Sequence, residues 1–220
     1  MDNIRWAIVG TGYIANSFAQ GMQVVEDAVL AAVVSRNVDS AKAFAERYGG
    51  EAVYTDYDAM LREIRPDVVY IAVPNDLHYD YIMRAFDCGI NVLSEKPMVD
   101  TVKQLEEVYA RASEKGLFIM EGMWTRCFPV VRKVREWIRG GRIGEALSVN
   151  VSFNIKPDYS DWQVWKAGIA HSGGALRDVG IYSLGVANMV FPEKPENMFN
   201  YNSTIKQGSL SNKKQIYSQI

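Results

Sequence analysis

Apolar residues change their spacing repeatedly along the first half of the chain, and each change marks an element. Ile4 to Gly10 is almost continuously apolar, as expected of a strand covered on both faces. It runs into Gly10-Thr11-Gly12-Tyr13-Ile14-Ala15, after which Phe18, Met22 and Val25 recur at helical spacing. Val29 to Ser35 predicts a second strand, and Asp39 to Tyr48 a helix closed by Gly49-Gly50. Tyr57 to Ile64 predicts a short helix that stops before Pro66. A third main strand follows over Val68 to Val73, then a helix over Leu77 to Cys88 with Gly89 as its stop. Asn91 to Ser94 is the next strand. Thr101 to Lys115 is a helix opened by Thr101 and Gln104 at capping-box spacing, and Phe118 to Glu121 returns to strand. This alternation predicts an α/β fold, a doubly wound parallel sheet of Rossmann type over residues 1–122.

The rhythm then changes. Phe128 to Ile138 predicts an amphipathic helix, with Arg132, Lys133 and Arg135 on a solvated face. Glu145 to Ile155 alternates apolar and polar residues, which predicts the first strand of a second, α+β domain with an open sheet. Gly173 to Phe191 predicts a helix. Residues 197–220 are rich in Asn, Ser, Gln and Lys and hold no acid and no valine. They predict a disordered tail, or the product of a frameshift or premature stop in a longer gene. The domain organisation expected is therefore 1–122, a partial domain over 123–196, and the tail.

Composition bounds the function. The 220 residues are 48% hydrophobic with a formal net charge of -2, enough for a sizeable core and without the basic excess that nucleic acid would call for. Cys88 and Cys127 form no spacing motif and are expected to be reduced thiols of a cytosolic protein. No apolar run reaches membrane-span length, and a first strand at Ile4 leaves no room for a signal peptide. No metal is expected, because no His, Cys or carboxylate cluster has ligand spacing. A cytoplasmic enzyme acting on a small molecule is the expectation.

Three short motifs carry chemistry. Gly10 to Ala15 has the G-x-G-x-x-A pattern in its strand–turn–helix setting. There Gly10 permits the turn, Gly12 lets backbone approach a pyrophosphate, and Ala15 lets helix and strand pack closely. Glu95-Lys96-Pro97 places a cation at the carboxyl end of a buried strand, the edge of an open α/β sheet where ligands bind. The second strand ends in Ser35-Arg36-Asn37, with no acid for a ribose 2′-hydroxyl; a serine and an arginine suit a 2′-phosphate. NADP is the expected cofactor, NAD the alternative. Asp39, the nearest acid, is expected to cap the following helix.

Gly10-Thr11-Gly12-Tyr13-Ile14-Ala15, Val73-Pro74-Asn75 with Leu77-His78, and Glu95-Lys96-Pro97 together resemble the Gfo/Idh/MocA oxidoreductases. Glu121 to Arg126 and Gly173 to Tyr182 are similar to the branch of dihydrodiol and NADP-dependent D-xylose dehydrogenases. The resemblance runs from about Ile4 to Pro195. It implies a cofactor domain followed by an open antiparallel sheet domain that builds the substrate site and the interface of a homo-oligomer, an assembly this shorter chain need not share. It also implies cofactor contacts from Gly10, Thr11, Gly12, Tyr13, Ile14, Ser35, Arg36, Pro74, Asn75, His78, Glu95 and Lys96. Lys96 would lie beside nicotinamide and substrate, ahead of a proline often preceded by a cis bond in relatives. The family's later aspartate and histidine correspond to Asp178 and Tyr182, the tyrosine fitting the dihydrodiol branch.

Asp178 and Tyr182 are spaced i, i+4 and on a helix share one face, with Gly180 between them. Oxidising an alcohol requires removal of its hydroxyl proton as hydride leaves. A phenol does this at neutral pH when a cation favours its charged form. Lys96 would supply that charge, Tyr182 the proton transfer, and Asp178 would hold the lysine or a substrate hydroxyl. A packed aromatic without chemistry is the alternative for Tyr182. Trp124 and Arg126 are substrate-site candidates, with interdomain packing the alternative. His78 follows a strand end, within reach of a cofactor, but a histidine at a helix start is more often structural, and His171 has no assigned role. The function expected is hydride transfer between a sugar or vicinal diol hydroxyl and NADP. The alternative is an inactive, cofactor-binding fragment or sensor.

Overall fold

Apolar residues on both sides of one sheet organise the first part of the molecule. The computed structural model describes residues 3–153, 173–174, 176–193, 195–197, 201–202 and 218–219. The chain divides into two units, Met1–Gly122 and Met123–Ile220.

In the first unit the strands are β1 (Ile4–Val9), β2 (Ala28–Val34), β3 (Ala52–Tyr54), β4 (Val68–Ile71), β5 (Asn91–Ser94) and β6 (Ile119–Glu121). The helices are α1 (Tyr13–Met22), α2 (Val38–Tyr48), α3 (Tyr57–Glu63), α4 (His78–Asp87) and α5 (Val102–Lys115). All six strands are parallel, in the order β3-β2-β1-β4-β5-β6. This is the doubly wound Rossmann arrangement, with its reversal between β1 and β4.

Strand alternation sorts the core into two layers. Ile8, Leu30, Val33 and Tyr70 face Ala15, Ala19, Ala41 and Phe44 of α1 and α2. Ala7, Val9, Ala32, Val34, Val69, Ile71 and Val92 face Met60, Ile82, Phe86 and Val108 of α3, α4 and α5. Helices on both faces explain why β2 reads as one apolar run rather than an alternating one.

Helix ends follow local chemistry. The Asn37 side chain accepts from the N–H groups of Asp39 and Ser40, so Asn37 caps α2 and Asp39 lies in its first turn. The expectation that Asp39 is the cap is corrected. Its position inside the turn places its charge against the helix dipole but takes its side chain past the first free N–H groups. Thr101 and Gln104 form the capping box of α5, and Gly49 and Gly116 close α2 and α5 in the left-handed conformation.

The second unit holds a 3₁₀ turn (Trp124–Cys127), α6 (Pro129–Arg139), a π-helical turn (Leu176–Gly180) and α7 (Ile181–Val190). Two short strands, β7 (Tyr201–Asn202) and β8 (Ser218–Gln219), pair antiparallel inside the segment expected to be disordered. Two expectations change here. Residues 145–153 form no strand, because no described strand runs alongside to take up their N–H and C=O groups; residues 154–155 lie outside the described ones. The helix expected over Gly173 to Phe191 begins only at Leu176, with a wider π turn that gives way to α geometry after Gly180.

Candidate functional site

Parallel register brings the chemistry-bearing motifs of the first unit to one edge. Val34 pairs with Val9, Val9 with Ile71, Ile71 with Ser94, and Ser94 with Glu121. The residues that follow these five strand ends therefore emerge side by side, at the carboxyl edge where doubly wound sheets bind ligands. They are Gly10, Ser35-Arg36, Val73-Pro74-Asn75, Glu95-Lys96-Pro97 and Gly122.

The glycine turn has a built floor and an open roof. Gly10 adopts φ +103, and a Cβ there would overlap the carbonyl of Ala72. Gly12 has open space where its side chain would be, and α1 begins with no side-chain cap. Uncapped N–H groups, a helix dipole and room for close approach fit a dinucleotide's pyrophosphate. Tyr13 and Ile14 are exposed beside the turn. Asn16, which the sequence reading passed over, holds the turn from behind. Its amide donates to the carbonyls of Thr11 (3.1 Å) and Gly12 (2.9 Å) and accepts from the Tyr48 phenol at 2.9 Å.

At the end of β2, the Thr11 hydroxyl donates to Ser35 Oγ at 3.4 Å, tying the glycine turn to the Ser35-Arg36 pair. Arg36 is exposed, so its guanidinium faces water. No acid stands at this strand end, which leaves a serine hydroxyl and a guanidinium, a donor set suited to a phosphate.

The loop after β5 is held on every side. The Tyr70 phenol donates to Glu95 Oε1 at 2.6 Å, and the Lys96 N–H donates to Glu95 Oε2 at 3.2 Å. The Met98 N–H donates to Glu121 Oε1 at 2.9 Å. Burial pushes the Glu95 carboxyl above its ordinary range, and the Tyr70 phenol and the Lys96 N–H partly oppose that push. Lys96 itself is half-buried, and the Lys96–Pro97 bond is cis. Glu95 therefore spends both oxygens on the scaffold that carries Lys96. Tyr70 was not among the site candidates; a lone phenol in the apolar run of β4 was its only signal.

His78 is fully buried. Its Nδ1 lies 2.8 Å from the Pro97 carbonyl and its Nε2 lies 3.0 Å from the Val73 carbonyl. Burial lowers its basicity, while the two carbonyls and the charges of Asp100 and Asp76 work the other way. The ring thus sits beneath the loops, where it was expected to approach the cofactor. Pro74 and Asn75 lie half-buried in the loop after β4.

The remaining candidates, Trp124, Arg126, Asp178 and Tyr182, belong to the second unit. Trp124 Nε1 donates to the Tyr182 phenol oxygen at 2.9 Å, and the two rings meet edge-on with centroids 6.0 Å apart. Phe153 also packs against Tyr182, with ring centroids 5.0 Å apart. Arg126 donates to Asn188 Oδ1 at 3.1 Å. Asp178 is exposed on the π turn that leads into α7. Of the two histidines, only His78 is among the described residues; His171 lies outside them. Among the described residues no group of three or more His, Cys, Asp or Glu is arranged to hold a metal, and no helix is long and apolar enough to cross a membrane.

Comparison with known proteins accords with this geometry. Residues 4–123 match the model of the oxidoreductase family with an NAD-binding Rossmann fold, and residues 131–212 match the Gfo/Idh/MocA C-terminal domain. The second match runs on into the segment read as a tail. Mouse (Mus musculus) trans-1,2-dihydrobenzene-1,2-diol dehydrogenase is 30% identical over 89% of this chain and 59% of its own length. An uncharacterized oxidoreductase of Rhizobium meliloti is 34% identical over 90% of this chain and 59% of its own. Among solved structures, the 3-ketoreductase KijD10 of Actinomadura kijaniata, in complex with NADP and TDP-benzene, is 34% identical with a TM-score of 0.79. That similarity covers 86% of this chain and 57% of KijD10. The chain thus spans a little under three fifths of the length of the relatives it matches. By both domain matches, the chain belongs to the Gfo/Idh/MocA oxidoreductase family.

Proposed function

We propose that this chain is an NADP-dependent oxidoreductase that moves hydride between a hydroxyl of a sugar or vicinal diol and the nicotinamide. One observation carries the reading: five strand-end loops aligned on one sheet edge, with an open glycine turn, a serine–arginine pair and no competing acid. The NADP complex of KijD10 and the name of the dihydrodiol dehydrogenases support the cofactor and the substrate class.

The bound dinucleotide supplies the hydride acceptor. Gly12 and the first turn of α1 would hold its pyrophosphate, and Ser35 with Arg36 would hold the 2′-phosphate. Lys96 would provide positive charge for the oxygen that loses its proton, and Tyr182 would take that proton in its phenolate form. Asp178 orients the hydroxyl. The substrate would give up its C–H electrons as hydride to the nicotinamide and its O–H proton to the phenolate, leaving a carbonyl. Residues 1–122 act as the cofactor domain and 123–196 as the substrate side.

The experiment has two arms: an NADPH titration followed by fluorescence, and an assay of NADP reduction with D-xylose, D-glucose and trans-dihydrodiols. Saturable binding with turnover on one substrate is expected. Binding without turnover on any of them would leave a cofactor-binding protein without this chemistry.

A further inference from the structure

We propose that His78 is a positioning residue that fixes the loop carrying Lys96 against the loop after β4. It rests on the cofactor reading above. Each ring nitrogen of His78 faces a carbonyl of a different loop, Pro97 at 2.8 Å and Val73 at 3.0 Å. Carbonyl oxygens only accept, so the ring can serve these loops only as the donor, and a neutral imidazole donates to one at a time. The ring is fully buried and has no route to a ligand, yet Pro97 directly follows Lys96 and Val73 directly precedes Pro74-Asn75.

Other ties reach the Lys96 loop from β4 and β6, through Tyr70 and Glu121, and within the loop Glu95 accepts from the Lys96 N–H. His78 is the first residue of α4, and its ring reaches both loops from beneath the sheet edge. Among the described residues, neither the glycine turn nor Ser35-Arg36, which would take the adenosine end, exchanges a hydrogen bond with it. Loss of the ring should therefore weaken the grip on the nicotinamide end and spare the adenosine end. A role in general stability would weaken both ends alike.

The test uses the full chain and two probes, NADPH and adenosine 2′,5′-bisphosphate, which lacks the nicotinamide. His78→Phe keeps the ring volume and removes both nitrogens. It is expected to weaken NADPH binding about tenfold while leaving the bisphosphate within about twofold. His78→Asn, whose amide sits near the Nδ1 position, should keep the Pro97 bond and recover most of the loss. If the phenylalanine variant does not fold, the asparagine variant and His78→Gln, which serves the Val73 side, carry the same two-probe comparison. Equal losses for both probes, or no loss in any variant, would overturn the proposal. A wild-type chain that binds neither probe would instead defeat the cofactor reading itself.

Discussion

The indole N–H of Trp124 donates to the phenol oxygen of Tyr182 across 2.9 Å. An indole nitrogen can only donate, so Tyr182 is the acceptor of this pair, and its ring is further fixed by Phe153. Tyr182→Phe removes the hydroxyl proposed to carry the proton and leaves the packing. Turnover should fall by about 10²–10⁴-fold with NADPH affinity unchanged, read by steady-state kinetics beside a fluorescence titration. Trp124→Phe, which keeps the edge contact with Phe128, should cost about tenfold in turnover through the lost bond. Full activity in the first variant would remove Tyr182 from the reaction.

Gly10 and Gly12 should fail in different ways. Gly10→Ala forces a side chain into a left-handed backbone and against the Ala72 carbonyl, at a cost of about 2–4 kcal/mol in stability. Gly12→Ala places its Cβ where nothing lies within 4 Å and should leave the unfolding midpoint nearly unchanged while weakening NADPH binding. Chemical denaturation and cofactor titration of both variants check the contrast.

Glu95 predicts a pH trend. Burial favours its protonated form, so its contribution to stability is present below the carboxyl's unfolded value and is lost as pH rises through the higher folded one. Glu95→Gln lacks that loss. The stability of the variant relative to the natural protein should rise from about pH 4 to about pH 7, followed by denaturant midpoints. The opposite trend would mean that the fold prefers the carboxylate.

Much of this was legible in the residues, and what was not has a common physical character. β1, β2, β4 and β5 follow from apolar runs bounded by turns, and the α5 capping box from Thr101 and Gln104 alone. β3 was missed because Ala52–Tyr54 is too short to show a period. The Glu145–Ile155 alternation marked a face to bury but not a partner to pair with. Asn16 to Tyr48, Tyr70 to Glu95 and His78 to Pro97 join residues far apart in sequence. No spacing rule connects such pairs, so the layer supporting each motif stayed hidden while the motif itself was plain.

Arg36 tests the proposed preference for NADP. Its guanidinium is exposed beside Ser35, so its removal should not disturb folding. Arg36→Ala should weaken NADPH about 10–100-fold and change NADH little, a loss in line with one charge-assisted contact. Comparable affinity for both cofactors in the natural protein, with no effect of the substitution, would defeat the NADP assignment.

The glycine fingerprint is continuous from Gly10 to Ala15, yet its floor comes from Ala72, the residue after β4. A growing chain holds the whole motif long before it holds the strand that shapes it, and β1 must wait for β4 to become an interior strand. Possession of the motif and possession of the anion cradle are thus separate events in the life of the polypeptide. A piece of the protein ending ahead of Val68 would carry every letter of the signature and none of its binding power.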